Sequence, residues 1–340
     1  MVTLSDRHKQ ILEAVISDYV ATSQPVGSGT IAKSYVDFSP ATVRNVLGDL
    51  ERMGLLQQPH TSAGRVPTDQ GFRVYVNDLL RVRALSDQEQ NRIRSEFETG
   101  LDAGEDVLRQ TGHLLSEASN LAGLVLAPRL DEVILERIEL VKLGRRRVMV
   151  VLIPDQPVVH NRVVRTETEY AKGDLEKMAG YLNETLAGCT LREMYARIEV
   201  RMSSERVLYD HLRKRALRLG LDAIERGTGE DLYVEEATRL LEQPEFLDVG
   251  RMKALFRALE EKSKILSLLR VTLESEGVNV LIGSESEVAE MQGCTLITSR
   301  YTRAGRAAGS VGVIGPTRMS YGRIIPIVDY VARLMSEYRF

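Results

Sequence analysis

The sequence has no tryptophan, and aromatic residues make up only 5% of its 340 positions. It has two cysteines, Cys189 and Cys294, too far apart in sequence to suggest a disulfide framework. That scarcity fits a reducing compartment and two small buried hydrophobes. An excess of charge is also lacking: 45 Lys plus Arg stand against 48 Asp plus Glu, for a net charge of −3. No bulk field advertises a nucleic-acid partner, so any such binding must come from a local patch. No run approaches the roughly 18 apolar residues of a membrane helix. The N-terminus turns charged at Asp6 and Arg7 without an apolar segment. Neither a signal peptide nor a membrane span is expected, and a cytoplasmic location follows.

The constellations of an enzyme are missing as well. His8, His60, His113, His160 and His211 form no i, i+4 pair and do not space with the cysteines, so no metal site is expected. Gly305, Gly309, Gly312 and Gly315 lack the Lys-Ser/Thr of a P-loop and the Rossmann spacing. They read as a turn and a strand. Arg318 could contact an anion, but its simpler use is an ion pair holding the last helix. No catalytic role and no cofactor are expected.

What is present begins with three helices. Ile11, Leu12, Val15, Ile16 and Tyr19 recur with helical period over Asp6 to Ala21, and a short second helix spans Gly29 to Tyr35 after Ser28. The third is sharply bounded: Ser39 caps it, Pro40 takes its first position, and Gly54 stops it. Val43, Val46, Leu47, Leu50 and Met53 share one face, leaving Ala41, Thr42, Arg44, Asn45 and Gly48 outward. Such a small, hydrogen-bonding face suits a helix whose N-terminal half enters a DNA major groove. Leu55 to Gln58 and Arg65 to Pro67 can pair as a hairpin around a polar tip, which makes the motif a winged helix-turn-helix. Thr68 then caps a helix carrying Phe72, Val74 and Tyr75 that closes this domain near Arg83.

Downstream the pattern is mixed, an α+β multi-domain reading. Leu85 to Glu105 is a polar helical connector, and a helix spans Asp106 to Asn120. Strands are expected at Val133–Leu143, Arg147–Ile153 and Val158–Thr166, before a helix from Glu167 to Leu186. Strands return at Val278–Gly283, Leu296–Tyr301 and Val311–Ile314, and the last helix spans Tyr321 to Glu337. Between the two strand groups the chain is helical over Ser203–Gly220, and Tyr233–Glu242 is a short helical or extended piece. One long helix is expected over Arg251–Leu273, with Met252, Leu255, Phe256, Leu259 and Leu266 in an apolar stripe that needs a partner surface.

Several long motifs carry a resemblance. Pro25-Val26-Gly27-Ser28, Ala41-Thr42-Val43-Arg44-Asn45, Leu50-Glu51-Arg52-Met53-Gly54, the run Gln58 to Thr68 followed by Gly71-Phe72-Arg73-Val74-Tyr75-Val76, and Gly315 to Tyr321 resemble the HrcA family of bacterial heat-shock repressors. The chain departs from the family at Pro40, Val46 and Gly48, where Ser, an acidic residue and Ala are usual. The resemblance implies a winged-helix domain and a GAF-like α/β sensor-type domain interrupted by a helical dimerising insert. On that plan the domains are 1–83 (DNA-binding), 84–105 (connector), 106–200 with 278–340 (GAF-like) and 201–277 (dimerising). It implies negative regulation of class I heat-shock operons through a dimer on the inverted repeat CIRCE, with the GroEL chaperonin as modulator. Thr42, Arg44 and Asn45 are the expected base contacts. Ser39, His60, Thr61, Ser62 and Arg65 are the expected backbone and wing contacts. The stripe Met252, Leu255, Phe256, Leu259 and Leu266 is assigned to the dimer. The other reading is a winged-helix regulator that uses its GAF-like domain as a small-molecule sensor.

Overall fold

The computed structural model describes residues 4–60, 63–102, 107–128, 134–154, 160–202, 211–224, 232–246, 249–273, 275–303 and 306–337. The chain divides into two compact units, one of Met1–Leu126 with Leu232–Glu337 and one whose continuous part is Ala127–Asp231.

The first unit opens with α1 (Asp6–Thr22), α2 (Ser28–Ser34) and α3 (Pro40–Arg52). Ile11, Leu12, Val15, Ile16, Ile31, Val43, Leu47 and Leu50 are buried, as the periodicity requires. The end of α3 has a structural cause. Gly54 takes φ +74°, its amide donates to Glu51 O at 2.9 Å, and the Leu55 amide donates to Leu50 O at 2.9 Å. This is a Schellman stop, with Leu50 and Leu55 both buried beside it.

Strands β1 (Leu56–Gln57) and β2 (Val66–Pro67) form the wing, pairing antiparallel. Two glycines let the module close. A Cβ on Gly64 would lie 2.4 Å from Val26 O, and one on Gly71 would lie 2.1 Å from Leu55 O. Only glycine permits such backbone approach. Thr68 caps α4 (Asp69–Val74) by accepting the Gly71 amide at 3.0 Å, and its hydroxyl donates to Gly54 O at 2.6 Å. The helix runs on into a π turn over Tyr75–Leu79.

After α5 (Asp87–Asp102) and α6 (Val107–Ser119), the remaining strands are β3 (Ala122–Leu126), β4 (Leu135–Gly144), β5 (Arg147–Pro154), β6 (His160–Arg165), β7 (Leu232–Glu235), β8 (Val278–Ile282), β9 (Cys294–Arg303) and β10 (Arg306–Pro316). Five of them make an antiparallel sheet in the order β7-β3-β10-β9-β8. One face is covered by α6 and by the last helix, Tyr321–Glu337. Against the other pack two helices, Val249–Glu260 and Lys262–Leu273. Leu255, Leu259, Ile265, Leu268 and Leu269 meet Ala122, Leu124, Leu126, Leu296 and Ile314 there.

In the second unit β4, β5 and β6 form their own antiparallel sheet. Helices α7 (Lys172–Leu186), α8 (Leu191–Met202) and α9 (His211–Ile224) close one core with it, where Ile138, Val148, Val150 and Val164 pack with Leu175, Met178, Leu182, Ile198 and Leu217. Asn183 ties α7 to β4 by accepting the Ile138 amide at 2.7 Å and donating to Ile138 O at 2.9 Å. In chain order the two helices of 249–273 are α10 and α11, and the last helix is α12.

These observations correct two expectations and bear on a third. The segment forming its own unit is Ala127–Asp231 rather than 201–277. Among the described residues β4–β6 pair with one another, whereas 249–273 is bound to the larger sheet by its apolar stripe. That same stripe packs within the chain. Leu255 and Leu259 are buried in the chain's own core and Leu266 packs against it, while Met252 and Phe256 are half-buried. The expected dimer residues are thus largely spent on intrachain packing. The helix of Arg251–Leu273 is also two helices, interrupted at Glu261, where the Lys264 ammonium pairs with Glu261 and Glu290 at 2.9 and 2.6 Å. Helix α8 carried no expectation, and its Met194 and Ile198 are fully buried.

Candidate nucleic-acid interface

Helix α3 presents the stripe its sequence suggested. Ala41, Arg44, Asn45 and Arg52 are exposed and Gly48 is half-buried, and their spacing places them on one side of the helix. The capping residues are more committed. Ser39 Oγ accepts the Thr42 amide at 3.1 Å and lies 2.9 Å from Thr42 Oγ1. Both hydroxyls therefore serve the helix start, and Arg44 and Asn45 are the two expected base contacts that are exposed. A Cβ on Gly48 would meet nothing within 4 Å. Replacing it with alanine is expected to stabilise the module by about 1 kcal/mol. A denaturant titration that finds Gly48→Ala destabilising would show that the position needs glycine.

The wing is braced from two sides. Val26 and Arg65 exchange amide–carbonyl bonds of 2.9 and 2.8 Å, and Gln58 Nε2 donates to Ala63 O at 3.0 Å. Arg65 does not point away from the protein: its guanidinium donates to Glu51 Oε2 at 2.9 Å and so ties the wing to α3. His60 is exposed at the tip. Thr61 and Ser62 lie outside the described residues.

Sequence reasoning missed one cation. Arg7, on the first turn of α1, lies over the Phe38 ring with its guanidinium carbon 5.2 Å from the centroid, and it lines a surface concavity with Ser5, His8, Thr42, Asn45 and Asp49. It brings positive charge to the α3 N-terminus, where helix amides already favour anions. Its only signal in the sequence is a charge on a solvated face, which is common to most helices. Among the described residues no helix is long and apolar enough to cross a membrane, and no three His, Cys, Asp or Glu side chains gather as a metal site requires. Burial pushes the Cys294 thiol up to about 12, which suits an inert core residue.

Residues 3–78 match a family described as "Winged helix-turn-helix transcription repressor, HrcA DNA-binding". Residues 105–325 match the "HrcA protein C terminal domain". A protein of Geobacter sulfurreducens named "Heat-inducible transcription repressor HrcA" is 47% identical over 339 residues, covering 99% of this chain and 98% of its own. One of the same name from Syntrophobacter fumaroxidans is 42% identical, with coverage of 99% and 98%. A crystal structure described as that of a hypothetical protein shares the fold with a TM-score of 0.68 at 24% identity, covering 99% of this chain and 98% of that one. With both family matches and whole-chain relatives well above 30% identity, the chain belongs to the HrcA family.

Proposed function

We propose that this chain is a cytoplasmic, dimeric transcription repressor that binds the CIRCE inverted repeat of class I heat-shock operons, with its activity modulated by the GroEL chaperonin. The observation that carries the reading is the capped α3 with Arg44 and Asn45 exposed on one stripe, inside a winged module matched to the HrcA DNA-binding family. Arg44 suits guanine and Asn45 suits adenine in the major groove. Thr42 can add a contact from the hydroxyl capacity its cap leaves over. Ser39, His60, Thr61, Ser62 and Arg7 position the backbone, and Arg65 acts by holding the wing. The GAF-like reading of the larger sheet is supported by its five antiparallel strands between two helical layers. The chaperonin enters through the family resemblance.

Two copies are needed for physical reasons. Acidic and basic residues nearly balance in the winged module, and Arg52, Arg65 and Arg73 are already paired with Asp49, Glu51 and Glu285. One copy therefore neutralises few phosphates, and tight binding must come from joining two. The second unit offers the pairing surface. Val141, Met149 and Val163 stand in register across β4, β5 and β6, on the face opposite its core. Val141 is 39% exposed and Val163 51%. Covering such a row with its two-fold copy removes apolar area from water.

An electrophoretic shift on a CIRCE duplex tests the reading. Specific retardation, absent on a scrambled duplex and increased by added GroEL, is expected. Equal retardation of both duplexes would sink it, and equal activity with and without GroEL would remove the chaperonin from it.

A further inference from the structure

The winged module is fastened to the sheet body of its own unit by two arginines and one aromatic ring. Arg73, on α4, donates from Nε to Glu285 Oε1 at 2.6 Å and from Nη2 to Val280 O at 2.5 Å, and Nη2 also pairs with Glu285 Oε2. Arg318 works in the opposite direction. It precedes α12, yet its Nη1 donates to Val20 O, near the end of α1, at 2.7 Å, while Nε and Nη2 hold both oxygens of Glu245. Its side chain is only 12% exposed, and that of Arg73 27%. Asp69 adds a bond by accepting the Ser284 amide at 2.8 Å. Between these anchors Phe72 packs its ring 5.9 Å from that of Tyr321 and 6.4 Å from that of Tyr19.

The surfaces between the anchors are not continuously packed. A cleft of about 680 Å³ separates them, rimmed by Gln57, Thr68 and Gln70 of the module and by Phe246, Ser284 and Gln292 of the body. Apolar contact is non-directional and does not by itself fix the angle of the module. The Arg73–Glu285 pair crosses from module to body and, being bidentate, fixes planes as well as distances, while Glu245, within the body, aims the Arg318 guanidinium at Val20 O. Burial raises the Glu285 carboxyl, but the bonds from Arg73 and the Ile282 amide outweigh it and hold it below the usual carboxylate range. The pair is thus present at neutral pH and is lost only as pH falls through that lowered value.

We infer that Arg73 and Arg318 are positioning residues for operator binding: they clasp the winged module to the sheet body and so fix the recognition helix relative to that body, a condition for a dimer to hold its two recognition helices at one spacing. The inference rests on the dimeric repressor reading above. A freely tethered module would accept many half-site spacings at low effective concentration, whereas a clasped one accepts the spacing its geometry dictates. Neither arginine touches DNA in this scheme.

The full-length protein is titrated by fluorescence anisotropy against three duplexes: the CIRCE inverted repeat, the same repeat with five base pairs added to its spacer, and a single half-site. Wild type is expected to bind the lengthened repeat at least tenfold more weakly than CIRCE. In Arg73→Ala, Arg318→Ala and the milder Glu285→Gln, that ratio is expected to fall to threefold or less, with half-site affinity within twofold of wild type. The exchange Arg73→Glu with Glu285→Arg should regain part of the discrimination. Circular dichroism melts identify any variant that does not fold, in which case Glu285→Gln and the exchange decide. Retained discrimination in the folded variants overturns the clasp, as does half-site affinity falling in parallel with CIRCE affinity. If wild type itself ignores spacing, the dimeric reading fails first and takes the clasp with it.

Discussion

Replacing Arg44 with alanine is expected to cost about 1 to 3 kcal/mol of discrimination at the base pair it reads, a loss of roughly 5- to 150-fold in preference. Asn45→Ala should do the same at a neighbouring position. In a two-fold complex each loss enters at both half-sites, so the double variant should retain mainly salt-sensitive, sequence-independent binding. Arg65→Ala should behave differently and weaken all sequences alike. The structure gives the reason, since Arg65 braces the wing through Glu51 at 2.9 Å. Glu51→Gln should therefore reproduce Arg65→Ala on both CIRCE and scrambled duplexes. If Arg65 instead bound phosphate directly, Glu51→Gln would release it and raise affinity. That outcome, or equal loss of specificity in the Arg44 and Arg65 variants, would refute the division of roles.

Phe72→Ala is expected to destabilise the first unit by about 3 to 5 kcal/mol, the usual cost of removing a buried ring. Phe72 is 1% exposed and lies between Tyr19 and Tyr321. Its loss would leave a cavity where module and body meet. Tyr321→Phe should cost less, about 1 to 3 kcal/mol. The ring is kept, but Thr317 O loses a 2.7 Å bond and Thr295 Oγ1 a 3.0 Å partner. Without tryptophan in the chain, denaturant transitions followed by near-ultraviolet tyrosine signals and far-ultraviolet dichroism give the measurement. A shift of less than about 1 kcal/mol for Phe72→Ala would mean that the ring is not a core element, since buried rings cost more.

The winged helix-turn-helix was legible in sequence because its signals are local. Ser39, Pro40 and Gly54 set the ends of α3 through capping and left-handed geometry that need no distant partner. The 3.6-residue period assigned Val43, Val46, Leu47 and Leu50 to its inner face and left Arg44 and Asn45 outside. The wing strands, the Thr68 cap and the whole of α12 were readable on the same grounds. The motifs around Gly64, Gly71 and Arg318 carried the family as words, without their purpose.

Tertiary structure alone decided which apolar faces meet. Periodicity shows that Leu255 and Leu259 lie on one stripe, but only the sheet order β7-β3-β10-β9-β8 shows that the stripe is covered by the chain itself. Similarly, β4–β6 have the same local pattern as β8–β10, and strand pairing, which is non-local, assigns them to a separate unit. The charged contacts are the clearest case. Arg65 finds Glu51, Arg73 finds Glu285 and Arg318 finds Val20 O across sequence separations that no pattern encodes. A side-chain cation looks the same in sequence whether it faces solvent, phosphate or a buried carboxylate, and the folded chain settles it by placing one of them within hydrogen-bond reach.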